Sequence, residues 1–307
     1  MTRIGVWLFP DLDSRRLVAL AAEAERLGID ELWLGDEGPA RDPFALLAGV
    51  AVVTERLRLG IAVTNPYLRH PAIAATSALT VQELSRGRFA LGFGTGGGYA
   101  LEPVGIRPVT PSADTERALR IARAVAAGDA TEGYSPPAHA VPAQPLPLLV
   151  GSRGPRLNRF ASREADGVFL GGIPAGLLDR VLGWARSERD VETALYLNVA
   201  FDEAVLERRR PDLARVLLDS PAYVREHYGL DATLLRAAVT SEDLARKAVS
   251  DEVLSDYVVH GDVPAKLRAL VERHRPASIG ISLLGADPAA LLPEAAAALR
   301  TLQEVTV

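Results

Sequence analysis

Two apolar runs separated by an amphipathic helix constrain the fold of this chain most strongly. Residues 57–63 and 88–93 have the pattern of buried strands, residues 64–69 that of a polar turn, and the segment opened by Pro71 that of a helix. Both runs are apolar almost without interruption, which is typical of strands covered by helices on both faces of a parallel sheet. Because polar residues follow each strand, we expect the chemistry at the carboxyl ends of the strands.

The same alternation of strand and helix extends along the chain. The predicted strands are residues 3–9, 31–35, 57–63, 88–93, 148–151, 167–170, 193–201 and 278–284. With 307 residues the chain is long enough for a (β/α) barrel, which typically needs about 250 residues. We therefore predict an α/β fold, a (β/α)8 TIM barrel formed by residues 1–307 as a single domain. The alternative is a doubly wound open sheet.

Residues 202–260 interrupt this alternation. Their pattern is helical throughout, and the segment is far longer than one crossover helix requires. Four residues are suited to cap helices within it: Asp202, Ser220, Asp231 and Ser241. We predict a helical insertion, packed on the outside of the barrel, before the eighth strand.

The composition excludes several classes of function. A net charge of −5 provides no basic surface for nucleic acid or an anionic membrane. The absence of cysteine excludes disulfides, thiolate metal sites and a cysteine nucleophile, and no metal-binding motif is present, so we predict no metal. No apolar run approaches 18 residues and the N-terminus enters a strand directly, which predicts a soluble cytoplasmic protein.

A glycine-rich segment follows the strand at residues 88–93. Gly92, Gly94 and Gly97 have the spacing G-x-G-x-x-G, which occurs in dinucleotide-binding sites. That motif opens directly into a helix, whereas here a long connection is expected. The segment therefore favours close approach of a planar ligand to the backbone over a dinucleotide fingerprint.

Residues 151–156 predict an anion site. A glycine turn leads into a helix that starts with proline, so free backbone N–H groups face outward, and Arg153 and Arg156 add charge. The alternative is a turn with two solvated arginines. Gly171 and Gly172 follow the next strand and would approach the same ligand, so the two segments together indicate a cofactor with a phosphate group.

Four further side chains are considered as candidates for chemistry. Asp36 and Glu37 follow the second strand and are either general acids or residues of the loop before the next helix. His70 precedes Pro71 and is interpreted as a helix-entry residue. Trp7 belongs either to the core or to a wall on which a ring stacks.

The chain resembles the luciferase-like flavin and deazaflavin oxidoreductases, in particular the methylenetetrahydromethanopterin reductase branch. The resemblance is carried along nearly the whole chain by residues 33–36, 60–66, 69–71, 79–88, 92–96, 151–156, 165–167 and 259–261.

This resemblance implies a barrel, often dimeric, that binds coenzyme F420 or reduced flavin at the strand carboxyl ends. It also implies a non-prolyl cis peptide at Ala62–Val63 behind the ring. The residues implied to contact the ring are Asp36, Ala62, Val63, Thr64, Asn65, Thr95 and Gly96. Those implied to hold the phosphate and tail are Gly151, Ser152, Arg153, Gly154, Arg156, Gly171 and Gly172.

The chain departs from the family at the usual proton donors. Glu37 stands where related dehydrogenases carry histidine, and Trp7 and Gly97 stand where the reductase branch tends to have acids. We therefore predict Glu37 as the first catalytic candidate and Glu102 as the second.

Together these features predict an oxidoreductase that transfers hydride between coenzyme F420 and a small organic substrate, acting as a homodimer without nucleic-acid or membrane partners. One alternative is an FMN-dependent monooxygenase. The other is a barrel that has kept the cofactor pocket and lost its catalytic activity.

Overall fold

Parallel strands alternate with helices along almost the whole chain. The computed structural model describes residues 1–36, 38, 40–283 and 287–303, except for the side chains of residues 98 and 99. Within these ranges the strands are β1 (Arg3–Leu8), β2 (Glu31–Leu34), β3 (Arg58–Thr64), β4 (Phe89–Phe93), β5 (Leu148–Gly151), β6 (Gly167–Gly171), β7 (Glu192–Val199), β8 (Val258–Val259) and β9 (Ser278–Ser282). The helices are α1 (Ser14–Arg26), α2 (Pro43–Val53), α3 (Pro71–Leu84), α4 (Gly98–Leu101), α5 (Pro111–Ala127), α6 (Pro155–Glu164), α7 (Leu178–Ala185), α8 (Glu203–Arg208), α9 (Arg210–Leu218), α10 (Ala222–His227), α11 (Ala232–Ala238), α12 (Glu242–Ala248), α13 (Asp251–Tyr257), α14 (Val263–His274) and α15 (Pro288–Arg300).

The strands close into a barrel. Strands β1 to β7 pair in chain order, and β9 pairs with both β7 and β1, always in parallel. The (β/α)8 TIM barrel is therefore confirmed, and the open-sheet alternative is wrong. The two-residue strand β8 pairs with the end of β7, so β9 is the eighth strand of the barrel. The predicted end of that strand, residue 284, lies outside the described residues.

Side-chain caps determine where several helices begin. The Asp42 carboxylate caps α2, and Nδ1 of His70 accepts the backbone N–H of Ala72 (3.2 Å) at the start of α3. His70 is thus a helix-entry residue, as predicted.

The segment 202–260 contains helices α8 to α13 and ends in β8, so it is not helical throughout. Three of the four predicted caps precede helices. Ser220 does not, because its hydroxyl donates to the carbonyl oxygen of Val216 (2.6 Å) and Pro221 precedes α10 instead.

Two large rings fill the middle of the barrel. Trp33 and Tyr196 are buried there, in space that three glycines leave open. A Cβ at Gly5 would lie 1.9 Å from the Tyr196 hydroxyl oxygen, one at Gly280 2.2 Å from Tyr196 Cε1, and one at Gly60 2.2 Å from the Trp33 ring. This layer separates the two ends of the barrel interior.

Paired charges close the amino-terminal end of the barrel. The buried carboxylate of Glu31 accepts hydrogen bonds from Arg58 (2.9 Å), from Arg3 and from the indole of Trp33 (3.0 Å). Glu192 accepts from the same two arginines. Burial alone would raise the pKa of Glu31, but Arg58 and Arg3 hold that pKa below its ordinary value.

Candidate active site

A cavity of about 800 Å³ lies at the opposite, carboxyl-terminal end of the barrel. Residues at or just beyond the ends of the barrel strands line it, together with the N-terminus of α6 and one face of α9. It therefore occupies the place where the sequence predicts chemistry, and it is large enough for an organic cofactor.

The residues Ala62 and Val63 form one wall of the cavity. Their peptide bond is cis, as the family resemblance implies, and the pairing of β3 with β4 shifts register beside it. The indole N–H of Trp7 donates to the Ala62 carbonyl oxygen (2.6 Å) in a buried hydrogen bond. Trp7 itself lines the cavity, so it belongs to the wall as well as to the core.

Three glycines make room for the side chain of Val63. A Cβ at Gly92 would lie 3.1 Å from Val63 Cγ1, one at Gly94 2.5 Å from Cγ2, and one at Gly151 2.4 Å from Cγ1. Gly92 and Gly94 thus accommodate a neighbouring side chain. The G-x-G-x-x-G spacing has a packing explanation here and does not indicate a dinucleotide site.

The connection after β4 contains two short helices, whereas the sequence pattern predicts a long connection there. Helix α4 begins directly after Gly97 because the N–H groups of Ala100 and Leu101 both donate to the Gly97 carbonyl (3.1 Å each). A 3₁₀-helix, Glu102–Val104, follows. The single turn is too short to have been recognised by its periodicity.

Asp36 places a buried carboxyl at the cavity, with only 5% of its surface exposed. The Thr64 hydroxyl donates to Asp36 Oδ2 (2.6 Å), and Arg69 Nε lies 3.7 Å from the same oxygen. Burial raises the pKa of Asp36, and Thr64 and Arg69 offset only part of that rise. Thr64 is itself fully buried and, although predicted to contact the ring, is absent from the cavity lining.

Asn65, Thr95 and Gly96 line the cavity beside β3 and β4. The side-chain oxygen of Asn65 accepts the N–H groups of Tyr67 (3.1 Å) and Leu68 (3.0 Å), so this buried residue shapes the turn that follows β3. The structure therefore brings all three predicted residues to one side of the site.

The predicted anion segment lies at the N-terminus of α6. Gly151, Ser152 and Gly154 line the cavity there, with Gly171 and Gly172 beside them. Gly154 occupies the N-cap position, where no side chain bonds the first N–H groups of the helix. Those groups are suited to an anion.

The two arginines of this segment bind protein groups. Arg153 donates to the carbonyl oxygen of Val216 (3.2 Å) and to the hydroxyl of Ser220 (2.9 Å), so it anchors the segment 202–260 to the barrel. Arg156 forms an ion pair with Glu116 of α5 (2.8 Å). Both line the cavity, but neither is simply solvated, as the alternative interpretation of this segment held.

Only one of the two predicted catalytic acids, Glu102, lies in the described part of the chain. Glu37 lies outside the described residues. Glu102 is exposed and is absent from the cavity lining. Burial raises the pKa of Asp219, a residue of the cavity lining; Arg153 lowers that pKa and Glu102 raises it further.

Helix α9 lines the cavity, whereas the sequence pattern predicts that the whole segment 202–260 packs on the outside of the barrel. It contributes Arg215 and Val216, and Arg209 precedes it on the same side. Arg209 pairs with Asp212 (3.6 Å). The sequence signal was a helix carrying charged residues beside apolar ones, which is equally typical of a solvated surface helix.

The uncharged lining residues that were not predicted include Phe9, Asn198 and Ser282. Asn198 and Ser282 are the only polar side chains near the ends of their predicted strands, and that position is the signal that could have indicated them.

Two findings concern residues 1–36, 38, 40–283 and 287–303 alone. Among these residues, no helix has the length and apolar content needed to cross a membrane. Nor do three or more His, Asp or Glu side chains there converge as metal ligands.

Comparisons with known proteins single out one family. The model for luciferase-like monooxygenases matches residues 1–273. A 5,10-methylenetetrahydromethanopterin reductase from Archaeoglobus fulgidus is 27% identical over 292 residues, covering 84% of this chain and 86% of the reductase. An F420-dependent glucose-6-phosphate dehydrogenase from Kineococcus radiotolerans is 28% identical over 221 residues, covering 61% of this chain and 64% of the dehydrogenase.

Solved structures show the same fold. The coenzyme F420 dependent tetrahydromethanopterin reductase from Methanopyrus kandleri has a TM-score of 0.77 at 20% identity, over 96% of this chain and 97% of its own. An F420-dependent secondary alcohol dehydrogenase, solved with an F420–acetone adduct, has a TM-score of 0.73 at 16% identity, over 98% and 99%.

Proposed function

Because the chain belongs to the luciferase-like monooxygenase family, we propose that it is an oxidoreductase that transfers hydride between coenzyme F420 and a small organic substrate. Both kinds of similar protein found by sequence are reductases or dehydrogenases, and those whose names state a cofactor use F420. The FMN-dependent monooxygenase alternative is less well supported, because the relatives compared by sequence are reductases and dehydrogenases.

One observation carries this proposal. A single cavity joins the wall formed by Ala62 and Val63 to the open N-terminus of α6. A flat ring fits against the wall, and the backbone N–H groups of α6 suit the phosphate of the same molecule. When bound, the deazaflavin supplies the hydride donor or acceptor.

The residues of the wall orient the ring. Trp7 holds the Ala62 carbonyl, and the glycines around Val63 leave its side chain directed at the cavity. Fixing the ring against the wall limits the positions from which hydride is exchanged, which is the main contribution a protein makes to such a transfer.

We propose that residues 202–260 are an insertion within one barrel domain and that α9 extends the cofactor site. Arg209 and Arg215 lie on the side of the cavity near the N-terminus of α6. They would face the acidic tail of coenzyme F420 and add their charge to that of Arg153 and Arg156.

Asp36 is the carboxyl that we propose to hold the exchanged proton. It is buried, it lines the cavity, and its pKa is raised by burial. Hydride transfer to a carbonyl carbon leaves an oxygen that must gain a proton, and a carboxyl with a raised pKa is suited to supply it. Glu37 and Glu102 remain predictions.

Titration of the purified full chain with oxidised coenzyme F420, and separately with FMN, tests the function. Quenching of protein fluorescence reports binding, and Arg209→Gln should weaken the binding of F420 several-fold while leaving any binding of FMN unchanged. Binding of FMN alone would overturn the proposal in favour of a monooxygenase. Binding of neither would favour a barrel without activity.

We also propose that the chain forms a homodimer through α2 and α3. Helix α2 is apolar on all sides, yet Val52 and Val53 are 65% and 50% exposed, and Ile73 on the neighbouring α3 is 53% exposed. A helix that is apolar all round is normally covered. Sedimentation of the wild type and of Ile73→Glu tests this, since a dimer should dissociate in the variant. A monomeric wild type would contradict it.

A further inference from the structure

Charge is distributed unevenly around the cavity. Apart from Asp36, the charged residues of the described lining lie at the N-terminus of α6 or on and beside α9. They are Arg153, Arg156, Arg209, Asp212, Arg215 and Asp219. The opposite half, formed by the ends of β1, β7, β8 and β9, contributes uncharged side chains.

The uncharged half is built from residues at one level of the barrel. Ser282 of β9 is in register with Trp7 of β1 on one side and with Asn198 of β7 on the other. Asn198 in turn pairs with Val258 of β8. All four line the cavity. Because side chains alternate along a strand, residues in register point to the same side, here the barrel interior.

Two kinds of surface meet in this row. The Trp7 ring packs edge-to-face on Phe9, with centroids 4.6 Å apart, and both rings line the cavity. The side-chain amide of Asn198 and the hydroxyl of Ser282 are half-buried and have no hydrogen-bond partner within the described residues. Half-buried polar groups without internal partners are available to a ligand.

We propose that this row, Trp7, Phe9, Asn198 and Ser282, is the substrate site, and that the substrate is an uncharged carbonyl compound or its alcohol carried on an apolar ring. The inference rests on the proposed function and names its substrate class. Asn198 and Ser282 both donate and accept hydrogen bonds, so they suit the oxygen in either oxidation state. An anionic group would lie beside aromatic rings with no cationic side chain in this half of the described lining, which is unfavourable.

A matched pair of probes tests the substrate class without relying on turnover. Cyclohexanone and 4-oxocyclohexanecarboxylate differ by one charged group on the same ring. We expect cyclohexanone to quench the fluorescence of Trp7 and to bind at least tenfold more tightly than the carboxylate. Trp7→Phe should remove the signal while keeping a ring in place, because Trp33 is fully buried and Trp184 does not line the cavity. Equal or tighter binding of the carboxylate overturns the proposal, and so does the absence of cyclohexanone binding.

Variants of the two polar residues test the row itself. Asn198→Leu and Ser282→Ala should each lower kcat/KM for cyclohexanone reduction about tenfold, mainly through KM, because each loses one hydrogen bond to the substrate oxygen. The binding of oxidised coenzyme F420 should be unchanged. Ser14→Ala, at an exposed site outside the cavity, is the control.

The two proposals fail in different ways. If F420 does not bind the wild type, the proposed function is overturned whatever the probes do. If F420 binds and Asn198→Leu and Ser282→Ala bind and reduce cyclohexanone as the wild type does, the substrate row is overturned while the cofactor assignment stands.

Discussion

The two ends of the barrel interior use polar residues in opposite ways. At the amino-terminal end, Glu31 and Glu192 are hydrogen-bonded to Arg3 and Arg58. At the carboxyl-terminal end, the side chains of Asn198 and Ser282 border the open cavity and have no hydrogen-bond partner among the described residues. Polar groups satisfied by one another stabilise the fold, whereas polar groups left unpaired beside a cavity are available to a ligand.

This comparison separates the expected effects of substitution. Changes at the closed end should reduce the free energy of unfolding and leave binding intact in the folded fraction. Changes at the open end should alter binding or the pH profile and leave the free energy of unfolding almost unchanged.

The largest effect is expected for Glu31→Gln. The substitution leaves Arg3 and Arg58 with one buried carboxylate fewer, and we expect a loss of about 3 kcal/mol in the free energy of unfolding by urea denaturation. Glu164→Gln, which removes an exposed pair with Arg120, should lose less than about 1 kcal/mol. Equal losses of unfolding free energy in Glu31→Gln and Glu164→Gln would show that the buried cluster stabilises the fold no more than an exposed ion pair does.

The same variant has a pH signature. The pKa of Glu31 is lower in the folded than in the unfolded chain, so its contribution is full above the ordinary value of 4.5 and is lost as the pH falls through the folded pKa. The difference in the free energy of unfolding between the wild type and Glu31→Gln should therefore become smaller at acidic pH.

Gly280→Ala should be the next most disruptive change. The added Cβ would lie 2.2 Å from Tyr196 Cε1, and such overpacking of the middle layer should reduce the free energy of unfolding by about 2 kcal/mol. Gly183→Ala is the matched control, because it lies exposed in α7 with open space at its Cβ and should be neutral or slightly stabilising. If Gly280→Ala is as stable as the wild type, the Tyr196 ring can move aside without cost.

At the open end, Gly151→Ala should affect binding more than stability, because Val63, unlike Tyr196, borders the cavity and can shift into it. Its Cβ would lie 2.4 Å from Val63 Cγ1 and displace the wall. We expect about a tenfold loss of F420 affinity, or about 1.4 kcal/mol, by fluorescence titration. Adding Val63→Ala should recover part of the loss. A double variant that binds no better than Gly151→Ala would show that the effect does not pass through Val63.

The smallest expected effect is a shift in a pH profile. With Asp36 as proton donor, the rate of carbonyl reduction falls as the pH rises through its raised pKa. Thr64→Val removes the hydrogen bond that lowers this pKa, so the fall should move to higher pH, and Asp36→Asn should abolish it. Thr80→Val, on the exposed face of α3, should leave the profile unchanged. An unshifted profile in Thr64→Val would exclude Asp36 as the titrating group.

Much of the architecture could be predicted from local pattern. Apolar runs and caps such as Asp42 placed the barrel strands and the main helices to within a few residues, and the family resemblance carried the cis peptide at Ala62–Val63. Helix α4 and strand β8 were missed because four or two residues are too few to establish a period.

The candidate site was only partly predictable. The glycines at 151, 171 and 172 were indicated by their position after strands, and they do line one cavity. The partners of Arg153 and Arg156 could not be read from the sequence, since Ser220 and Glu116 are 67 and 40 residues away along the chain. For the same reason, α9 was assigned to the surface.

The sequence by itself determined the order of strands and helices, the barrel and the family, because these depend on apolar periodicity and on short motifs. The tertiary structure decided which polar groups are paired and which remain available. Glu31 meets Tyr196 across 165 residues, and Trp7 lies level with Ser282 and Asn198 only once the barrel closes. Such contacts depend on strand register around the closed sheet, which local residue pattern does not specify.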